Sequence, residues 1–434
     1  MNVAVVPRSG RGLVAVAAAL MALLMATAAV DAGTGKTRRV SVTSSGAERV
    51  GIQAEPTISA SGRFVAFEST AALAPGANGD RQIYVHDRKR KKTKRVSKST
   101  AGVVGIGHSG DASISANGRL VAFASAASNL IGADGNGTRD VFVRNRKSGK
   151  TKRVSVHNDG SEAAGTSNEP SISADGRFVA FHTDAPLVAA DSNGTFDVYV
   201  RDRKKGRTRR VSVDSAGVQR NDGSSSAKIS GNGRFVVFNT SAAFVGGDTN
   251  GKSDIYIHDR KNKKTRRISK GFGGAEPDDT SVSPYISATG RFVVFTSSAE
   301  NLIGNDDNGK QDVFIRDRKK KKTRRVSLSK LGQADGGSFS GPVSASGRYI
   351  VFVTKTKLLP NDNNGDFDVY LRDRKQGKTR LLSRDRNGKQ ANDESRRPAI
   401  TADGRFVAFD SDASDLIKND GNLSADVFVR GPIH

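Results

Sequence analysis

Six loops along the chain carry an aspartate, an asparagine two residues later and a second aspartate four residues after that. They are Asp134, Asn136 and Asp140; Asp191, Asn193 and Asp197; Asp248, Asn250 and Asp254; Asp306, Asn308 and Asp312; Asp362, Asn364 and Asp368; and Asp420, Asn422 and Asp426. Oxygen ligands at positions 1, 3 and 7 suit calcium, as in the first half of known calcium-binding loops. Glycine, where present, falls at position 4 rather than 6, and the bidentate glutamate of such loops is missing. The same residues therefore also fit an Asn-Gly turn whose last aspartate bonds backbone N–H groups of its own loop. Neither reading requires a cofactor, and calcium is the ion these loops could take.

A second set of side chains is cationic and equally regular. Lysine-rich turns recur at Lys89, Lys91 and Lys92; Lys147 and Lys150; Lys204 and Lys205; Lys263 and Lys264; Lys319, Lys320, Lys321 and Lys322; and Lys375. Binding of a polyanion competes here with solubility and with protection of strand edges against pairing to other chains. A third set, Arg63, Arg119, Arg177, Arg234, Arg291, Arg348 and Arg405, follows a turn glycine in every copy. An arginine identical in all copies is expected to lock each unit internally rather than to bind one ligand.

Other chemistries find little support. The chain has no Cys and no Trp, which removes disulfides, thiolate zinc sites and a cysteine nucleophile. Gly107-His108-Ser109-Gly110 lacks the second spacing of a nucleophile elbow and reads as a polar loop. His86 and His258 stand where other copies carry Arg144, Arg201, Arg316 and Arg372, and are expected at a solvated surface. Carboxylates gathered around a central channel remain the one route to catalysis, as a hydrolase or lyase. The expectation is no enzyme.

These residues belong to one repeat. Aligned on its first apolar residue, the repeat begins at Ile58, Ile114, Ile172, Ile229, Ile286, Val343 and Ile400, a period of about 57 residues. One copy reads Pro170-Ser-Ile-Ser-Ala-Asp-Gly-Arg-Phe-Val-Ala-Phe181, then Asp191 to Arg203, then Thr208-Arg-Arg-Val-Ser-Val213. Each contains a short Ile-Ser strand, a tight turn, a β-rich run, a Gly-rich loop, a third run, a basic turn and a fourth run. Four antiparallel strands, apolar on both faces of the middle pair, predict the blade of a β-propeller, here with seven blades. The last copy stops after Val427-Phe-Val-Arg430 without its fourth strand, while Thr37-Arg-Arg-Val-Ser-Val42 stands alone before the first. Pairing them closes the ring and leaves no open edge. The alternative, an open solenoid, leaves that strand unpaired.

The block Ile-Ser-x-x-Gly-Arg-Phe-Val-Ala-Phe followed by Asp-Val-(Phe/Tyr)-Val-Arg-Asp-Arg resembles the repeat of TolB-like propellers, a branch of the WD40-like repeats in exported bacterial proteins. The resemblance covers residues 37–430 and implies the fold. For function it implies a binding platform more than a reaction. TolB itself carries a further N-terminal domain and usually six blades, so its role in the Tol system is not implied.

The 434 residues carry a net charge of +26 with 35% hydrophobic and 26% charged residues. Arg8 and Arg11 precede an apolar run from Leu13 to Val30 that ends in small residues, the pattern of a signal peptide over residues 1–32. Its removal takes away two positive charges and one negative one, so +26 becomes +25 and the basic excess belongs to the domain over 33–434. The expected protein is a secreted, periplasmic or cell-surface monomer without a transmembrane segment. It binds an anionic polymer or cell-surface component through its basic rim; the alternative partner is a protein, held over the acidic face with its calcium-binding loops or over the central channel.

Overall fold

Each repeat makes an antiparallel four-stranded sheet because a positive-φ turn residue and a polar loop separate runs of β-branched and aromatic residues. The structure, a computed structural model, describes residues 35–434 apart from Ala133, Lys330, Leu331, Asp335 and Asn361; the expected leader over 1–32 lies outside them. In the first blade the strands are Gln53–Ile58, Phe64–Ser69, Gln82–Asp87 and Lys92–Arg95, hydrogen-bonded in chain order. Five further sheets repeat this order. The seventh takes Ser395–Ile400, Val407–Ser411 and Asp426–Gly431 from the end of the chain and Lys36–Arg39 from its beginning. Lys36 pairs with Gly431 and Arg39 with Phe428, so the N-terminal strand closes the ring. The fold is an all-β propeller of seven blades.

The core lies between blades. One cluster joins Ala66, Ile83 and Val85 of the first blade to Val121, Phe123 and Phe142 of the second. The cluster at the closure joins Val427 and Val429 to Val65, Phe67 and Tyr84, so that interface is packed like the others. A blade alone would expose both apolar faces, which is why the unit of stability is the ring.

On one face of the disc, a short ladder links neighbours. The turn glycine after each first strand has positive φ, 70° at Gly233, and a Cβ there would overlap the ring of Phe178 in the preceding blade. Gly118 meets Phe64 in the same way, Gly290 meets Phe235, and Gly347 meets Phe292.

The first strand departs from the sequence-based expectation. Rather than a short Ile-Ser segment, it has six residues and ends at the isoleucine, with a register shift between Ala54 and Thr57. Its Glu-Pro content hid it. A strand whose outer edge faces a channel tolerates proline, because no ladder partner needs that N–H. His86 and His258 are also corrected: they are buried, each with Nδ1 2.9 Å from a threonine Oγ1 on the fourth strand (Thr93 and Thr265). Burial pushes both down to about 4, so they are neutral packing groups.

Candidate binding surfaces on the two faces and in the channel

The alternation of strand direction places every third-to-fourth turn on the same face as the first hairpin turns. There the repeated arginine reaches across its own blade in the first six blades. Arg63 donates from Nε and Nη2 to the two oxygens of Asp87 at 2.8 and 2.7 Å. The same fork joins Arg177 to Asp202, Arg234 to Asp259, Arg291 to Asp317 and Arg348 to Asp373. Hydrogen bonding to these arginines holds Asp202 and Asp317 down at about 2. Each aspartate also accepts backbone N–H groups of the lysine turn, Lys89 and Arg90 in the first blade, so one carboxylate fixes arginine and turn together. Arg119 has only Asn145, at 3.3 Å.

The first arginine of each basic turn is structural as well. Arg146 stacks 4.4 Å from the Phe64 ring of the preceding blade, Arg260 4.1 Å from Phe178 and Arg318 4.1 Å from Phe235. The lysines that follow are different. All fourteen singled out from the sequence are exposed, and among the described residues no ion pair engages any of them. Protection of the outer edge has another agent: the Thr93 N–H donates to Ser44 Oγ, Thr151 to Thr100 Oγ1, Thr208 to Asn158 Oδ1 and Thr265 to Ser215 Oγ, each partner lying on the tail of the preceding blade.

On the opposite face the loops do bring their paired aspartates together. Between the carboxylates lies a guanidinium from the fourth strand. Arg267 Nη1 is 3.2 Å from Asp248, 3.1 Å from Asp254 and 3.0 Å from Glu276. Arg153 sits likewise among Asp134, Asp140 and Glu162, Arg210 between Asp191 and Asp197, Arg325 between Asp306 and Asp312, and Arg39 among Asp420, Asp426 and Glu48. In the fifth loop the Gln390 amide donates to Asp362, Asn364 and Asp368, each at 2.6 Å. The asparagines brace the loop: Asn136 Oδ1 accepts the Thr138 N–H, and its Nδ2 donates to Ala163 O, each at 2.9 Å. Asn193, Asn250, Asn308 and Asn422 accept the N–H two residues on in the same way. The last aspartate takes a serine hydroxyl, Ser155 on Asp140 at 2.5 Å, in place of its own loop's backbone. Burial pushes Asp134, Asp254, Asp306 and Asp420 up to about 6 and Asp368 to about 7. The arginines were visible in the repeat as the second basic residue of Thr-(Lys/Arg)-Arg.

The axis holds a cavity of 710 Å³ lined by the first strands of the blades. Three residues before the aligned apolar residue, the blades present in turn Glu55, Asp111, Glu169, Ser226, Ser283, Ser340 and Arg397. Five of these, the carboxylates and the next two serines, have φ between 46° and 55°, as Arg397 does at 47°. Arg397 lies 3.8 Å from Glu55 and 3.1 Å from Asp410, Arg139 3.1 Å from Asp111, and Lys228 3.7 Å from Glu169. Behind this ring Glu68, paired with Arg81 at 3.1 Å, is pushed up to about 7 by burial and then by Glu55, and Asp410 to about 7 by burial. Ser109 of the Gly-His-Ser-Gly stretch opens the second blade's first strand, with its hydroxyl buried 2.8 Å from Ser125 Oγ.

No family model and no curated protein matches the chain. Among solved structures, an oligogalacturonate lyase in complex with manganese superimposes with a TM-score of 0.55 at 13% identity, over 92% of this chain and 96% of that one. The chain is a β-propeller. A prolyl endopeptidase matches the propeller with a TM-score of 0.51 at 13% identity, over 87% of this chain and 50% of its own. TolB from Acinetobacter baumannii is similar at 12% identity over 81% and 76% of the two chains, with a TM-score of 0.41. At such identities the propeller's likeness to these proteins is one of fold. Among the described residues, no helix is long and apolar enough to cross a membrane.

Proposed function

We propose that the protein is an exported, non-catalytic binding propeller that holds an anionic polymer or anionic surface against its lysine face. The observation that carries this reading is the set of fourteen exposed lysines, free of ion pairs among the described residues and mounted on turns fixed by an aspartate or, in the second blade, by Asn145. A charge fixed in place loses less freedom on contact than one on a loose loop. A flexible polyanion can pass from one turn to the next without a shaped pocket. In this reading residues 1–32 are a cleaved leader and the remainder acts as a monomer.

The second reading is a protein platform on the opposite face, with its aspartate loops taking calcium. The exposed apolar side chains of Ile52, Ile106, Phe272 and Leu423, in loops on that side, favour a protein partner. The deciding experiment offers heparin, duplex DNA and a teichoic-acid-like polymer at low salt. Replacing Lys319, Lys320, Lys321 and Lys322 by Glu is expected to weaken binding at least about tenfold, with the fold intact. If all three polymers fail to bind, the protein platform becomes the first reading.

A further inference from the structure

The lysine face is the plain consequence of a basic chain; the channel is not. In a protein of net charge +26, three successive blades place a carboxylate at the same register position on the cavity wall, Glu55, Asp111 and Glu169. The acidic arc ends on a cation at either side, Arg397 from the seventh blade and Lys228 from the fourth. Across the cavity the fifth and sixth blades contribute Tyr285 and Phe339 instead, the latter 40% exposed. One wall of the cavity is therefore anionic and the other aromatic.

A further observation does not depend on the carboxylates. His182 stands on the second strand of the third blade, where the first blade has Glu68, and it is 8% exposed. Its Nδ1 has no hydrogen-bond partner among the described residues. It lies beside the acidic wall, close enough to Glu169, Asp111, Lys228 and Arg139 for each to act on its charge. The ring does not line the cavity and packs edge-on against Phe196 with centroids 5.4 Å apart, so it backs the acidic wall rather than meeting an occupant. Burial keeps this histidine neutral, so it adds no positive charge behind that wall.

We propose that the channel binds an organic cation, an ammonium or guanidinium group joined to an apolar or aromatic body, with the cation against Glu55, Asp111 and Glu169 and the body against Tyr285 and Phe339. Each of the three carboxylates has one cation beside it, Arg397, Arg139 and Lys228, and keeps further acceptor positions for an entering cation, while the aromatic wall adds apolar burial and stacking. A cavity of this size takes a small molecule or a short stretch of peptide. At physiological ionic strength the field of the distant lysines is screened over about 8 Å, so the overall positive charge does not exclude such a ligand.

Isothermal titration calorimetry on the full propeller tests this with four probes: 2-phenylethylamine, its neutral N-acetyl derivative, the aliphatic amine butylamine, and the dipeptide amide Lys-Phe-NH2. The expected result is one-to-one binding of the amine or the dipeptide with a Kd of about 1 mM or tighter, and none of the neutral derivative. Preference for the dipeptide assigns the ligand to peptides, and preference for the free amine to small metabolites. Asp111→Asn and Glu169→Gln, each checked for an unchanged melting temperature, should weaken binding at least about tenfold. Phe339→Ala should weaken phenylethylamine more than butylamine. The variant with Lys319, Lys320, Lys321 and Lys322 replaced by Glu should bind the amine as the parent does, which separates this site from the lysine face. Failure of both aromatic cationic probes, equal binding of the neutral derivative, or full binding by both carboxylate variants overturns the proposal.

Discussion

The lysine face and the channel wall are built from the same seven repeats, yet they use them in opposite ways. On the lysine face the turn glycine and the arginine after it are the same in every blade, because most meet the same kind of neighbour: Gly233 sits under Phe178, as Gly176 does under Leu120 and Gly404 under Tyr349, and in five blades the arginine forks onto an aspartate, as Arg234 does onto Asp259. On the channel wall the corresponding position changes from Glu55 through Ser226 to Arg397. Packing demands sameness in a ring of like units. A ligand on the axis meets each blade from a different side and permits difference. In a propeller, then, invariance among blades marks the scaffold and variation at a shared position marks a site.

Breaking the scaffold should cost the most. Deleting residues 36–42 removes the strand that closes the ring along with the buried Val40, and a melting temperature lower by about 10 °C or more, or aggregation, is expected. An unchanged melting curve would mean that the ring is held without that strand. Next comes Arg267→Met, which leaves Asp248, Asp254 and Glu276 facing one another without their cation. Loss of one partner from such a buried group costs about 3–5 kcal/mol. The variant should regain stability on addition of calcium, whereas the parent, with the guanidinium in place, should melt identically with calcium and with chelator. A calcium-dependent rise in the parent would show the ion displacing the arginine.

Smaller effects sharpen the contrast. Gly233→Ala forces a side chain into a left-handed backbone against Phe178 and should cost about 1–3 kcal/mol in urea denaturation, while Glu55→Gln on the channel wall should be nearly neutral. Comparable losses from the two would erase the distinction between scaffold and site. The smallest effect is that of pH. Asp134, Asp254, Asp306 and Asp420 near 6, and Asp368, Glu68 and Asp410 near 7, lie above their unfolded values of about 4. Between pH 4 and pH 7 the folded state thus binds more protons than the unfolded one, so these groups lose stability as pH rises. The melting temperature should be higher at pH 5 than at pH 8.

What the sequence made legible was whatever repeats. The blade count, the closing strand, the basic turns and the aspartate pairs all recur at one period, and seven copies average out local ambiguity. The first strand was misplaced because Glu55-Pro56 and Glu169-Pro170 do not look like strand; only their edge position on the channel permits them. His86 was placed at the surface by analogy with arginines that are themselves half-buried, such as Arg201 and Arg316. The acidic arc was invisible for the opposite reason to the blades. It rests on one residue per repeat, different in each, and acquires meaning only when three first strands converge on an axis.

The central claim is that the lysine face engages polyanions, and the salt dependence of duplex DNA binding tests it most directly. Each phosphate neutralised contributes about −0.9 to the slope of log affinity against log salt. Contact with two adjacent lysine turns predicts a sequence-independent slope of about −4 or steeper, flattened when Lys319, Lys320, Lys321 and Lys322 are replaced by Glu and unaltered when Asp306 and Asp312 are replaced by Asn. No binding at low salt, or a slope that ignores the lysine substitutions, would contradict it.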